Sequence, residues 1–262
     1  MGTVQGTYPF GQRLRILVQT DRAPKRIFVL GVYASAVHAR WIGPEGNVLV
    51  RALAVASEPV IFWNGIGADD IVASVAIPAG AGRLISAEAA LNGPSGRSLE
   101  NDYLGPLRIS RPAAWLCDLV PYSCLNPGQT VAIQREYEPR RIEFGLPEMN
   151  LPKVPRIFAD DERRGQILRE IDEANPDVLV LLGDQPIKAF LAAFDSRWSK
   201  LSDFGVLADD YGRLHEVTLG SRRLHVLPLA HPRQASGLGF HSGSWRRLHA
   251  EWKRDRAPGL LT

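Results

Sequence analysis

The chain has 262 residues, 45% of them apolar and 23% charged. No apolar run reaches membrane-spanning length, and the apolar fraction argues against a disordered chain. Its 24 glycines and 19 prolines follow no period, so collagen-like and low-complexity readings fail as well. Met1 is followed by Gly, Thr, Val and Gln, without the basic-then-apolar pattern of a signal peptide. Cys117 and Cys124 are too few for a disulfide framework, a four-cysteine cage or an iron–sulfur cluster. A reduced, cytoplasmic protein is expected, with no cofactor, metal or membrane partner. The net charge of +3 is uneven: between Arg222 and Arg256 eight Lys/Arg stand against Glu251 and Asp255. A basic face on a near-neutral body suits a polyanion such as DNA, and equally a solvated basic tail.

Residues 1–25 are polar and punctuated and are expected to form an arm or a first helix. Arg26 to Gly31 is a short β-favouring run ending in glycine, the pattern of a buried parallel strand. Val32 to Trp41 is expected as a loop. Val48 to Trp63 contains a second β-rich stretch, and Ala113 to Val120 a third strand. Asn126-Pro127-Gly128-Gln129 has the composition of a turn. Asp160 and Asp161 can cap a helix to about Glu173, with Ile167, Leu168, Ile171 and Ala174 on one face. Val178 to Leu182 is a continuous apolar strand ended by Gly183, and Pro186 opens a short helix to Phe194. Leu214 to Leu219 and Arg223 to Leu229 are further strands, the latter running into Ala230-His231-Pro232. A basic helix over 242–256 puts Trp245, Leu248 and Trp252 on one stripe. Strands alternating with helices predict an α/β fold: one domain over 1–262, a three-layer α/β/α sandwich around a mostly parallel sheet.

In open α/β sheets, ligands bind beyond the carboxyl ends of the strands. A strand ending in Gly31-Val32-Tyr33-Ala34-Ser35 and a late strand ending in His231-Pro232-Arg233 resemble the two motifs of the uracil-DNA glycosylase superfamily. Asn92-Gly93-Pro94-Ser95-Gly96-Arg97-Ser98-Leu99 is similar to the glycine-rich segment of its iron–sulfur branch, and Val178 to Phe190 to that branch's strand–Gly–helix. The cysteines of that branch are missing. The resemblance implies a uracil-DNA glycosylase-like fold that flips a damaged nucleotide out of DNA and hydrolyses its N-glycosidic bond.

On that resemblance His231 hydrogen-bonds the departing base, and Asp118 stands where relatives often place the base-reading asparagine. An aspartate only accepts unless protonated, so Asp118 favours a donor-rich base edge or orients water. The first motif departs from the pattern. Where relatives carry an acidic or amide residue that positions water, this chain has Val32 and Tyr33, with Ala34 in place of proline. Neither is a general base near pH 7, which leaves Asp118, His38 or a supporting Ser35. Gly31, Val32, Tyr33, Ala34 and Phe62 are further base-site candidates, with Trp41 or Trp63 as alternative stacking platforms. Ser95, Gly96, Arg97, Gly183, Arg233 and Gln234 are placed to meet phosphates. Leu238 and Phe240 are candidate wedges, and Arg246 and Arg247 can track the backbone.

Two other functions remain open. One is a non-catalytic binder of flipped bases or single-stranded DNA on the same fold, which Val32 and Tyr33 favour. The other is an enzyme of free nucleosides or nucleobases.

Overall fold

A computed structural model of the protein describes residues 6–238 and 242–261. In chain order the strands are β1 (Ile27–Tyr33), β2 (Ala36–Ile42), β3 (Val48–Ser57), β4 (Arg83–Ser86), β5 (Ala114–Val120), β6 (Val178–Leu182), β7 (His215–Leu219) and β8 (Arg222–Leu229). The α-helices are α1 (Ala68–Ala73), α2 (Pro94–Ser98), α3 (Pro127–Phe144), α4 (Asp161–Ala174), α5 (Asp184–Ala189), α6 (Pro232–Ala235) and α7 (Ser242–Asp255). The chain divides into two compact units. The first holds the chain up to Leu17, Tyr33–Arg97 and Pro121–Arg156; the second holds Val18–Val32, Ser98–Val120 and Ile157 onward.

The second unit is built on a five-stranded, mainly parallel sheet in the order β5-β1-β6-β8-β7. β1 pairs with β6 in parallel, Leu30 opposite Leu181, and β6 with β8, Leu182 opposite Leu229. β7 closes the edge antiparallel to β8. All five side chains of β6 are buried, as expected of a central parallel strand covered on both faces. Phe28 stacks on Trp115 in this core, their ring centroids 6.2 Å apart. Helix α4 begins where the sequence places it: the Asp160 carboxylate accepts from the Arg163 N–H, and Ile167, Ile171 and Ala174 are buried. The unit is α/β and fits a three-layer α/β/α arrangement.

The first unit carries the antiparallel sheet β3-β2-β4. Here the structure departs from several sequence expectations. Val32 to Trp41 is not a loop but the end of β1 and most of β2, which pairs antiparallel with the next strand, β3, as a hairpin and with β4 from further along the chain. Residues 6–25 form no α-helix. A single 3₁₀ turn, Pro9–Gly11, is stopped by positive φ at Phe10 and Gly11, and isolated bridges tie Thr7 to Arg13 and Asn150 and Ile16 to Tyr122. Asn126-Pro127-Gly128-Gln129 opens α3 rather than making a free-standing turn. The Asn126 side chain accepts from the Gln129 N–H and the Gln129 side chain from the Asn126 N–H, both at 3.0 Å, with Pro127 as first helical residue. Trp41 is no stacking platform. It is fully buried, its indole N–H donates to the Ala81 carbonyl at 2.7 Å, and it meets Phe10 edge-on at 5.1 Å. Trp63 is likewise core, bonded to the Ile66 carbonyl.

Truncating a buried indole removes its transfer free energy and leaves a cavity. Trp41→Ala should therefore lower the unfolding free energy by about 3–5 kcal/mol in urea titrations. A loss below about 1 kcal/mol would remove Trp41 from the core of the first unit.

Candidate functional site

The parallel register of β1, β6 and β8 brings three strand ends to one edge of the second unit. There an open cleft of about 750 Å³ is lined by Val32, Leu182, Gly183, Asp184, Gln185, Lys200, Ser202, His231, Arg233, Gln234, Leu238 and Trp245. Six of these, Val32, Gly183, His231, Arg233, Gln234 and Leu238, are residues that the sequence singles out.

Gly183 makes the arrangement possible. Its φ of +85° is unfavourable for a residue with a side chain, and a Cβ there would lie 2.9 Å from the His231 Cβ. His231 in turn is the N-cap of α6. Its Nδ1 accepts from the Arg233 N–H at 3.2 Å, and its own N–H donates to Gln234 Oε1 at 3.2 Å. Because Nδ1 is an acceptor, the ring proton of the neutral imidazole sits on Nε2. Burial, reinforced by Arg233, pulls the ring down to about 4 from the usual 6.5. At neutral pH His231 is thus an uncharged N–H donor at the cleft.

Sequence reasoning picks out the strand end Leu182-Gly183-Asp184-Gln185 as ligand-facing without giving Asp184 or Gln185 a role, and it missed Lys200, Ser202 and Trp245. The Asp184 carboxylate accepts from the Leu201 N–H at 2.7 Å, which ties the Lys200–Ser202 segment to the start of α5. No local motif announces this contact across 17 residues. Trp245 has a stripe position on α7, which signals core alone.

Asp118 is not among the cleft-lining residues. It lies in the middle of β5, whose seven side chains are all buried. Arg163 reaches the main chain here, donating to the Asp118 and Leu119 carbonyls. Burial pushes the Asp118 carboxyl up to about 7, against the pull of that guanidinium. Gly31 is buried in β1 beside the cleft-lining Val32.

Tyr33, Ala34, Ser35, His38, Phe62, Ser95, Gly96 and Arg97 belong to the first unit. His38 is buried on β2, its main chain clipped by the Asn92 side chain, which accepts from its N–H at 2.8 Å and donates to its carbonyl at 3.0 Å. Ala34 is buried and its carbonyl accepts from the Cys124 N–H; Ser35, next to it, is half-buried. Phe62 is buried at a φ of +50°. Gly96 is a packing glycine: a Cβ would stand 2.2 and 2.3 Å from the Phe62 and Trp63 carbonyl oxygens. Arg97 spends its guanidinium on the carbonyls of Asn64, Asn92 and Ala89 rather than on solvent.

The basic C-terminal stretch is largely neutralised. Arg223, Arg247, Lys253, Arg254 and Arg256 pair with Glu216, Glu251, Asp102, Asp255 and Asp209. Arg222 donates to the Asn175 side chain and the Pro176 carbonyl. Among the described residues no ion pair engages Arg233 or Arg246. Arg233 and Lys200 stand at the cleft, and Arg246 packs over Gly237. Leu238 is 58% exposed on the cleft rim, and Phe240 lies outside the described residues. Among the described residues no group of His, Cys, Asp or Glu can hold a metal ion, and no helix is long and apolar enough to cross a membrane.

Asp118 makes stability depend on pH with a defined sign. Its folded value, about 7, lies above the usual 3.8, so the folded state binds the proton more tightly. The stabilisation that the bound proton gives is present at low pH and is lost as pH rises through 7. Asp118→Asn should therefore gain stability relative to the parent between pH 4 and 8, read as melting temperature against pH. A difference independent of pH would mean that Asp118 is ionised at neutral pH.

Comparison of the sequence with protein-family models and with curated proteins gave no match.

Proposed function

We propose that this cleft receives a base extruded from DNA and that the protein hydrolyses its N-glycosidic bond, as a divergent uracil-DNA glycosylase-like enzyme. The observation that carries this reading is the neutral Nε2–H donor of His231 at the carboxyl edge of the sheet, in a cleft that Lys200 and Arg233 also line. When the glycosidic bond breaks, its electron pair leaves with the base and negative charge grows on the base oxygens. A preorganised donor aimed at that charge contributes about 2.7–4 kcal/mol in comparable sites. Water then bonds to C1′, and the proton it gives up passes to the departed base anion, leaving a neutral base and an abasic sugar.

The chemistry of the lining also selects a class of base. With Gln234 Oε1 occupied by the His231 N–H, its amide nitrogen remains to donate, beside His231 Nε2–H and the two cations. A donor-rich wall suits a carbonyl-bearing base such as uracil, hypoxanthine or xanthine better than an amino-bearing one. The two cations are suited to the flanking phosphates. The cleft volume falls within the usual range for small-ligand sites, about 300–1,000 Å³.

Val32 favours a second reading, a flipped-base binder without cleavage. It lines the cleft where the resemblance calls for a water-positioning acid or amide.

Oligonucleotides carrying uracil, hypoxanthine or xanthine, incubated with the protein and treated with alkali, should break at the lesion. His231→Ala should slow this by more than tenfold with little change in affinity for undamaged DNA. No breaks with any lesion, together with retained binding, would favour the binder. Lys200→Ala and Arg233→Ala should each flatten the slope of log affinity against log salt by about one. Binding indifferent to salt would overturn both DNA readings in favour of a free nucleoside or nucleobase.

A further inference from the structure

β8 leaves its ladder at Leu229, whose carbonyl accepts from the Gly183 N–H at 2.8 Å. The next residue, Ala230, is fully buried and precedes His231. Its two main-chain groups are both held by tyrosine hydroxyls. The Ala230 N–H donates to Tyr211 Oη at 2.8 Å, and the Ala230 carbonyl accepts from Tyr103 Oη at 2.7 Å. Side chains thus replace the sheet bonds at the point where the sheet ends.

The hydroxyl of Tyr211 has one proton, and having accepted from Ala230 it gives that proton to His249 Nδ1 at 2.8 Å. His249 must then carry its own ring proton on Nε2, which donates to the Asp102 carbonyl at 3.1 Å. Every donor and acceptor in the chain Ala230–Tyr211–His249–Asp102 has one consistent direction. The imidazole is buried against Tyr103 at 4.4 Å and Trp252 at 5.2 Å, and burial pulls it down to about 4. The Asp102 carboxylate is anchored by Lys253 and by the Ser98 hydroxyl. Gly212, at φ +71°, lets the Trp252 indole sit 2.3 Å from where a Cβ would be, which brings α7 and His249 down onto Tyr211.

We propose that Tyr103 and Tyr211, backed by His249, are positioning residues: a hydroxyl clamp that fixes the end of β8 and thereby the direction in which His231 presents its Nε2–H. The functional consequence rests on the reading of His231 as the donor to the departing base, whereas the clamp itself does not. Tyr211→Phe removes the acceptor for the Ala230 N–H and the donor to His249 at a cost of one oxygen atom. Tyr103→Phe removes only the partner of the Ala230 carbonyl.

The test is nitrogen NMR of the His231 and His249 rings with amide exchange at Ala230, alongside excision kinetics, at a temperature where each variant is folded. In the parent both rings should show protonated Nε2 and bare Nδ1. In Tyr211→Phe the Ala230 amide should exchange at least tenfold faster and His249 should lose its single tautomer, while kcat for excision falls with KM nearly unchanged. His249→Phe should loosen Ala230 in the same direction. His249→Asn, with an oxygen near the position of Nδ1, should restore much of its protection. Tyr103→Phe should shift the His231 ring signals and lower kcat even if Tyr211→Phe does not fold. Unaltered ring signals and exchange in the tyrosine variants would overturn the clamp. Intact clamp signatures in a protein that excises no lesion would instead overturn the proposed function and leave the clamp standing.

Discussion

The cleft depends on a single close approach. Gly183 and His231 end neighbouring parallel strands, and they touch so nearly that any side chain at 183 would displace the histidine. The parallel register sets this distance, because Leu182 lies opposite Leu229 and the two chains then leave the sheet together. Strands of this kind need burial on both faces, so the hydrophobic core that builds the sheet also fixes where its polar ends emerge. Packing and site are the same constraint seen at two points along β6 and β8.

Two histidines in the second unit illustrate how a buried imidazole is assigned a role. In both, Nδ1 accepts and Nε2 carries the proton, and in both burial holds the ring neutral. Their partners differ. The Nε2–H of His249 is spent on the Asp102 carbonyl, which makes the ring a structural strut. His231 lines the open cleft, and among the described residues no protein acceptor is seen for its Nε2–H. What separates the two is whether the second nitrogen has been used up inside the fold.

Much of this was legible from residue order. The apolar runs ending in glycine or His-Pro located β1, β6 and β8, and the Asp160 cap located α4, because buried parallel strands and helix caps are local signals. β2 and β4 were not legible, since the mixed polar and apolar residues of Ala36–Ile42 and the four residues Arg83–Ser86 carry no clear strand pattern of their own, nor was α3. Its Asn-Pro-Gly-Gln start reads equally as a turn until the reciprocal cap is seen. Within the site, the glycine and histidine at strand ends were visible, whereas Lys200 and Ser202 arrive through a carboxylate bond that has no sequence signature. Arg97 shows the reverse failure. Its place in a glycine-rich segment suggests phosphate binding, yet its guanidinium closes three main-chain carbonyls.

The local pairing of the C-terminal charges reaches beyond the cleft itself. Arg223, Arg247, Lys253, Arg254 and Arg256 each sit against a carboxylate, so from afar they act as dipoles rather than as a monopole. A dipole field fades faster with distance than that of a bare charge, and at physiological ionic strength screening over about 8 Å removes most of what is left. Long-range attraction of a polyanion is correspondingly weak. Any capture of a polyanion would fall to cations felt only at contact range, with an encounter rate set by ordinary diffusion more than by electrostatic guidance.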